Sequence, residues 1–229
     1  MTTRHQHSAP QTEGAMTTRH QHSAPQTEGA TITWWARFYD PIAWLSSFGT
    51  ISNVRKATIK AARLQPGESV LDVGCGTGDL TLRAARKVGA EARVAGIDAS
   101  PDMIGVANRK AAAKGRKIDF RLAPIEDLPF ADSEFDVALS SFMLHHLPDD
   151  LKVRGLAEVC RVLKPGGRLI AVDIKPDGGP IGLFMKLVGH SLPDDYPDQL
   201  RSAITDAGFK AVELVNPDDR VALFLRATK

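Results

Sequence analysis

Cysteine is scarce in this sequence: Cys75 and Cys160 are the only thiols among 229 residues. Two separated thiols supply neither a disulfide framework nor the spacing of a metal site, and they predict a reducing cytoplasm. Neither sign of charge dominates, because 29 Lys and Arg stand against 27 Asp and Glu for a formal net charge of +2. A nucleic-acid-binding face needs a dense basic cluster. The nearest group here, Lys114, Arg116 and Lys117, suits the solvated C-terminus of a helix. No apolar run approaches the ~20 residues that cross a bilayer, and the N-terminus lacks the apolar core of a signal peptide. The carboxylates lack metal-ligand spacing, so no metal is expected.

What the chain does have begins with a repeat. Residues 1–15, MTTRHQHSAPQTEGA, recur unchanged as residues 16–30. The segment carries no apolar periodicity and cannot offset the entropy of ordering, so residues 1–30 are expected to be a disordered tail. Its second copy opens on Met16, which an alternative start or a duplication would explain. His5, His7, His20 and His22 could catch a metal, but nothing rigid would hold them.

One folded domain is expected over residues 31–229. Residues 31–64 form a helical N-terminal cap whose apolar positions suit one or two amphipathic helices, broken near Asp40-Pro41. Short apolar runs then alternate with helical stretches. Strands are predicted over Ser69–Val73, Arg93–Ile97, Ile118–Leu122, Phe135–Ser140 and Arg168–Asp173. Helices are predicted over Gly78–Val88, Pro101–Lys114 and Asp149–Leu163. Such alternation implies crossovers and a mainly parallel sheet covered on both faces. After a helix over Leu200–Ala207, the runs Lys210–Val215 and Val221–Ala227 lie too close for a helical crossover and should form an antiparallel hairpin. The fold class is therefore α/β, with a doubly wound, mainly parallel seven-stranded sheet and one antiparallel strand in a C-terminal hairpin.

The most specific motif is Val70-Leu71-Asp72-Val73-Gly74-Cys75-Gly76-Thr77-Gly78-Asp79-Leu80, a strand running into a glycine turn and a helix. Glycines there permit positive φ and let a ligand meet bare backbone. The dinucleotide fingerprint would place its last glycine at position 79, where this chain has Asp79. A carboxylate there argues against a pyrophosphate. Asp72 suits a cationic ligand such as an ammonium or sulfonium, or else serves as a turn residue bonding its own backbone. Asp98, at the end of the second strand, can accept from two ribose hydroxyls. Ser100 is the better N-cap for the helix that opens at Pro101, which leaves Asp98 for the sugar. Met103 could pack on an adenine face or simply be core.

These residues together resemble class I S-adenosylmethionine-dependent methyltransferases, in the ubiquinone/menaquinone-biosynthesis-like (type 11) branch. Four blocks over about residues 36–175 carry the resemblance: LDVGCGTGDL, GIDASPDMI, IEDLPFADSEFDVALSSFMLHHL and EVCRVLKPGGRLI. The resemblance implies a Rossmann-like sheet, S-adenosylmethionine as methyl donor and S-adenosylhomocysteine as product. It implies that Gly74, Cys75 and Gly76 approach the methionine part, that Asp98 and Ala99 flank the ribose, and that Ile125 offers a backbone N–H to adenine. It places Ser141 beside the methionine moiety and Tyr39 in a substrate cap. The family often has an acidic residue where this chain has Pro124, so Glu126 or water would replace it at the adenine amine.

The donor brings the reactivity, and the protein supplies position and dryness. Many acceptors also need a proton removed, and His146, at the carboxyl edge of the sheet, is the candidate base. The alternative has the pair His145-His146 capping the turn before Leu147-Pro148. The segment Pro180–His190, within the stretch 176–207, is a lid over an apolar substrate or an ordinary packing helix, and Phe142, Phe184 and Met185 could wall the pocket. Lys164-Pro165-Gly166-Gly167 reads as a structural type II turn. Cys160 reads as core. The expected acceptor is a small molecule, such as a quinone precursor, phenol, lipid headgroup or amine, with transient membrane contact if it is lipidic. A cofactor-binding protein without catalysis and an NAD-linked oxidoreductase are the competing classes.

Overall fold

A computed structural model of the chain describes residues 50–176, 192–216 and 219–229. The duplicated tail, Tyr39, and the residues Phe184, Met185 and His190 of the lid segment lie outside the described residues. The elements in chain order are α1 (Thr50–Ala62), β1 (Val70–Val73), α2 (Asp79–Val88), β2 (Val94–Asp98), α3 (Pro101–Ala113) and β3 (Asp119–Leu122). They continue with β4 (Phe135–Ser141), a 3-10 turn (Leu144–His146), α4 (Asp149–Val162), β5 (Leu163–Ile174), α5 (Tyr196–Asp206), β6 (Lys210–Leu214) and β7 (Ala222–Thr228).

The strands form one seven-stranded sheet in the order β3-β2-β1-β4-β5-β7-β6. β1 to β5 pair in parallel, and β7 runs antiparallel to both β5 and β6. The expected hairpin is therefore present, and β7 is the antiparallel strand.

Period-two alternation splits the core between the two faces. Val70, Val137, Leu139, Ile170 and Val172 meet Val54 of α1 and Leu80, Ala84 and Val88 of α2. Leu71, Val73, Ala138, Leu169 and Ala171 meet Leu156 and Val159 of α4 and Leu200 and Ile204 of α5. Each fully buried side chain of this kind contributes about 1.5–3 kcal/mol of transfer free energy. Gly155 lies mid-helix in α4 because Ile125 presses against it: a Cβ there would sit 2.7 Å from Ile125 Cγ2.

Two element starts differ from the sequence expectation by more than one residue. β5 begins at Leu163, and the Lys-Pro-Gly-Gly stretch is an irregularity inside its ladder, not a turn before it. Phe135 pairs with Leu163 and Val137 with Arg168, so the extra residues bulge outward between these two pairs. α5 begins at Tyr196, because a proline fits the first helical turn, where its missing N–H has no partner to lose.

The register positions the site. Val73 pairs with Ile97 on one side and Ser140 on the other. The next residues, Gly74, Asp98 and Ser141, therefore emerge together at the carboxyl edge. β1 and β4 are neighbours here, and strand order reverses between them. Open α/β sheets bind ligands at such a switch point.

Candidate active site

A cleft opens at this edge, between α1, the turn after β1, the ends of β2 and β4, and the loop after β3. Its lining includes Asp72, Gly74, Cys75, Gly76, Asp98, Ala99, Met103, Ile125, Ser141 and His146. Ile51, Arg55, Phe142, Met143 and Leu147 complete much of the wall.

The turn after β1 is shaped by positive φ at Gly74 (70°) and Gly76 (52°). Gly74 is needed by its neighbour, since a Cβ there would lie 2.5 Å from Met143 Cγ. Gly76 differs: nothing lies within 4 Å of the position its Cβ would take. The bare cradle is thus at Gly76.

Asp98 is not left idle by the capping of α3. Ser100 Oγ does accept from Met103 N–H, as an N-cap should. Asp98 Oδ1 nevertheless accepts from Ser100 N–H at 2.9 Å, and Oδ2 from Gly76 N–H at 2.8 Å. The carboxylate ties the glycine turn to the end of β2 and keeps its remaining lone pairs for a ligand. Burial pushes its pKa up, and the two backbone N–H groups pull against that rise.

Asp72 falls on the α2 face of the sheet by strand alternation, is 1% exposed, and accepts from Thr81 Oγ1 at 2.5 Å. Burial raises its pKa to about 6, against the hydrogen bond from Thr81 and the charge of Arg55. Its partner is Thr81 of α2, through both the hydroxyl and the backbone N–H, and not the backbone of its own turn.

The charge reading of Asp79 needs correction. Its carboxylate receives Arg55 from α1 at 3.0 Å and Lys110 from α3 at 2.8 Å. Burial pushes its pKa up, but the two cations win and hold it below the usual carboxylate range. Asp79 therefore presents a compensated charge and not a bare negative one.

At the opposite wall the two histidines part. His145 turns into the protein, where its Nδ1 lies 2.5 Å from Asp173 Oδ1. His146 lines the cleft. Phe142, beside them, holds a left-handed φ of 56° and lines the cleft. A bulky residue in that region stores strain that surrounding structure must sustain.

Ile125 lines the cleft, whereas Glu126 is not among the lining residues. Its Oε2 is buried without a hydrogen-bond partner among the described residues. Cys75 lines the cleft as a protonated thiol, its pKa raised first by burial and then by Asp72 and Asp98. The sequence reading missed Ile51 and Arg55, which lie one helical turn apart on α1, and it missed Asp173 and Tyr196. No His/Cys/Asp/Glu group able to hold a metal exists among the described residues, and no helix among them is long and apolar enough to cross a membrane.

The arrangement suits a cationic amino-acid nucleoside. Two carboxylates and an open glycine could grip its polar parts, and Met103 and Ile125 supply apolar surface for a base.

Comparison with known proteins agrees. Residues 70–167 match the family model described as "Methyltransferase domain". A ubiquinone/menaquinone biosynthesis C-methyltransferase UbiE from Geotalea daltonii is 32% identical over 197 residues, covering 75% of this chain and 83% of the relative. An arsenite methyltransferase from Halobacterium salinarum is 35% identical over 167 residues, covering 69% of this chain and 41% of the relative. The fold matches a SAM-dependent methyltransferase structure from Aquifex aeolicus with a TM-score of 0.66 at 23% identity, covering 84% of this chain and 96% of that one. The chain belongs to the S-adenosylmethionine-dependent methyltransferases, in the branch of the ubiquinone/menaquinone-type enzymes.

Proposed function

We propose that the methyl acceptor is an apolar small molecule with an ionisable hydroxyl, of the hydroquinone class, and that His146 is the base that takes its proton. The observation that carries this reading is the make-up of one cleft. Ile51, Phe142, Met143 and Leu147 give it apolar walls, and His146 is in the same lining as Asp72, Asp98 and Gly76.

S-adenosylmethionine, when bound, supplies a methyl group on a sulfonium, which is a good leaving group. Asp98, which holds the turn through Gly76, would accept from the ribose hydroxyls. Gly74, Cys75, Gly76 and Ser141 would hold the methionine part, and Asp72 would offset its positive charge. Ala99 and Met103 would hold the nucleoside, and the Ile125 N–H would serve adenine. Glu126 lies outside the cleft lining, so water, the other partner the sequence offers, would meet the adenine amino group. A His146 ring nitrogen would take the hydroxyl proton, leaving an electron-rich ring whose carbon could attack the methyl group as its bond to sulfur breaks; S-adenosylhomocysteine leaves, and the ring-carbon proton passes to solvent as the aromatic ring is restored. Packing of the acceptor against the apolar walls would keep donor and acceptor in line, an effect worth roughly 7–11 kcal/mol in favourable cases.

The arsenite alternative fits less well. Arsenic(III) is thiophilic, and this chain has two cysteines. Cys160 sits in the last turn of α4, with its Sγ beside Gly208, at the edge opposite the cleft. The proposed setting is the cytoplasm, with transient membrane contact if the hydroquinone carries a prenyl tail.

The test is S-adenosylhomocysteine release in a panel of hydroquinone, phenol, amine and thiol acceptors, with calorimetry of S-adenosylmethionine and NAD binding. Turnover should be greatest with hydroquinones, and NAD should not bind. Turnover only with thiols or amines would refute the acceptor class. Tight nucleoside binding without release in any arm would favour a binding protein that lacks catalysis.

A further inference from the structure

The end of β5 holds a buried carboxylate to which methyl transfer, as described so far, gives no task. Asp173 is 0% exposed, and four donors converge on it. Oδ1 faces Nδ1 of His145 at 2.5 Å and accepts from the Ile174 N–H at 2.9 Å. Oδ2 accepts from the His145 N–H at 3.0 Å and from the Tyr196 hydroxyl at 2.8 Å. A carboxylate offers about four lone-pair sites, so this one is saturated. Asp173 is also absent from the cleft lining. It therefore cannot serve as the base or as a ligand contact.

What it can do is orient. Tied to Asp173 through both its backbone N–H and its Nδ1, the His145 ring has one placement. Tyr196, from the first turn of α5, closes the far side, with Lys152 Nζ 5.4 Å from its ring centre. The His145 ring is 4% exposed, and the His146 ring rests against it. Their centroids are 3.9 Å apart and their planes tilt by 43°. Burying a charged group among four donors is an expensive way to fill space that an apolar side chain would fill as well.

We propose that Asp173, backed by Tyr196, is a positioning residue for methyl transfer. By locking His145 it fixes the surface on which His146 rests, and so aims the His146 ring into the cleft. This rests on the reading of His146 as the acceptor-facing base.

The experiment uses the full chain as wild type, Asp173→Asn, Tyr196→Phe and His146→Ala. Ring carbon–proton NMR signals of His146 are recorded with S-adenosylhomocysteine bound, S-adenosylhomocysteine affinity is measured by calorimetry on the unloaded chain, and kcat and KM are measured with S-adenosylmethionine and a short-chain prenylated naphthohydroquinone. In Asp173→Asn the His146 ring signals should move. Nucleoside affinity and KM should hold, while kcat falls by about tenfold to a hundredfold, as expected for a misaimed group. Tyr196→Phe should act in the same direction by a few-fold, and it decides the matter if Asp173→Asn does not fold. Unmoved His146 signals, or wild-type kcat in Asp173→Asn alongside a crippled His146→Ala, would overturn the proposal. Wild-type turnover in His146→Ala would instead sink the base reading, and the ring signals separate that failure from this one.

Discussion

At the turn after β1 the cleft wall is continuous chain. Gly74, Cys75 and Gly76 follow one another, and Asp98 reaches across a single strand pair to hold Gly76 N–H at 2.8 Å. At the end of β4 the wall is assembled from afar. His145 meets Asp173 from 28 residues away, and Tyr196 reaches Asp173 across another 23. The first construction makes a site from backbone, which tolerates little variation in conformation. The second makes it from side chains, each of which can be exchanged. A domain that keeps one donor and takes many acceptors has reason to build its two walls in these two ways.

The sharpest way to break that contrast is His146→Ala. Turnover should fall by about 10²–10⁴-fold, the usual contribution of a general base, while S-adenosylhomocysteine affinity stays near wild type by calorimetry. An equal loss in both quantities would mean that the β4 wall also holds the nucleoside, and the division of labour would dissolve.

Asp72→Asn probes the β1 side through pH. Burial raises the Asp72 pKa from 3.8 to about 6. Between those values the folded protein binds more protons than the unfolded one, so wild type loses stability as pH rises through this window. The gap corresponds to about 3 kcal/mol at pH 7, an upper bound for the gain on substitution. Urea unfolding without ligand should show the variant more stable at pH 7 and nearly equal at pH 4. Its affinity for S-adenosylmethionine should fall more than for S-adenosylhomocysteine, because only the former is charged at sulfur. Equal affinities in variant and wild type would leave Asp72 a purely structural partner of Thr81.

Asp98→Ala should weaken S-adenosylhomocysteine binding by about 1–3 kcal/mol, and it should also lower stability, because two backbone N–H groups lose their acceptor. Calorimetry and urea unfolding on the same preparation separate the two effects. Unchanged affinity in a folded variant would remove the ribose assignment.

The difference in construction also explains what could be read from the sequence. Strand–turn–helix alternation reveals the parallel direction of β1 to β5 and the antiparallel hairpin, because each of these readings needs only neighbouring residues. Gly76 and Asp98 were legible for the same reason. The sequence reading picks His146 of the pair, but what turns His145 inward is geometry set by β5 and α5, which no local pattern shows. Asp173 reads as the last residue of an apolar strand, and Tyr196 precedes Leu200, where the sequence reading starts the helix. Arg55 was invisible because its partner, Asp79, lies 24 residues away on another helix. Asp79 was misread for the same cause: its charge is cancelled by residues that no local pattern connects to it.

Arg55→Met tests that hidden tie, and its effect should be the smallest. The Arg55–Asp79 pair joins α1 to the first turn of α2, with side chains 19% and 28% exposed. Screening at that exposure limits the pair to about 0.5–1 kcal/mol. Lys110 still neutralises Asp79 in the variant, so no bare buried charge is created. Unfolding at low ionic strength should show this modest loss, and about 1 M salt should erase the difference, since the Debye length there is about 3 Å. Losing Arg55 also removes a charge that holds the Asp72 pKa down. The pH window over which Asp72 costs stability should therefore extend upward in Arg55→Met. A window that stays in place would mean that α1 and the buried end of β1 are electrostatically independent.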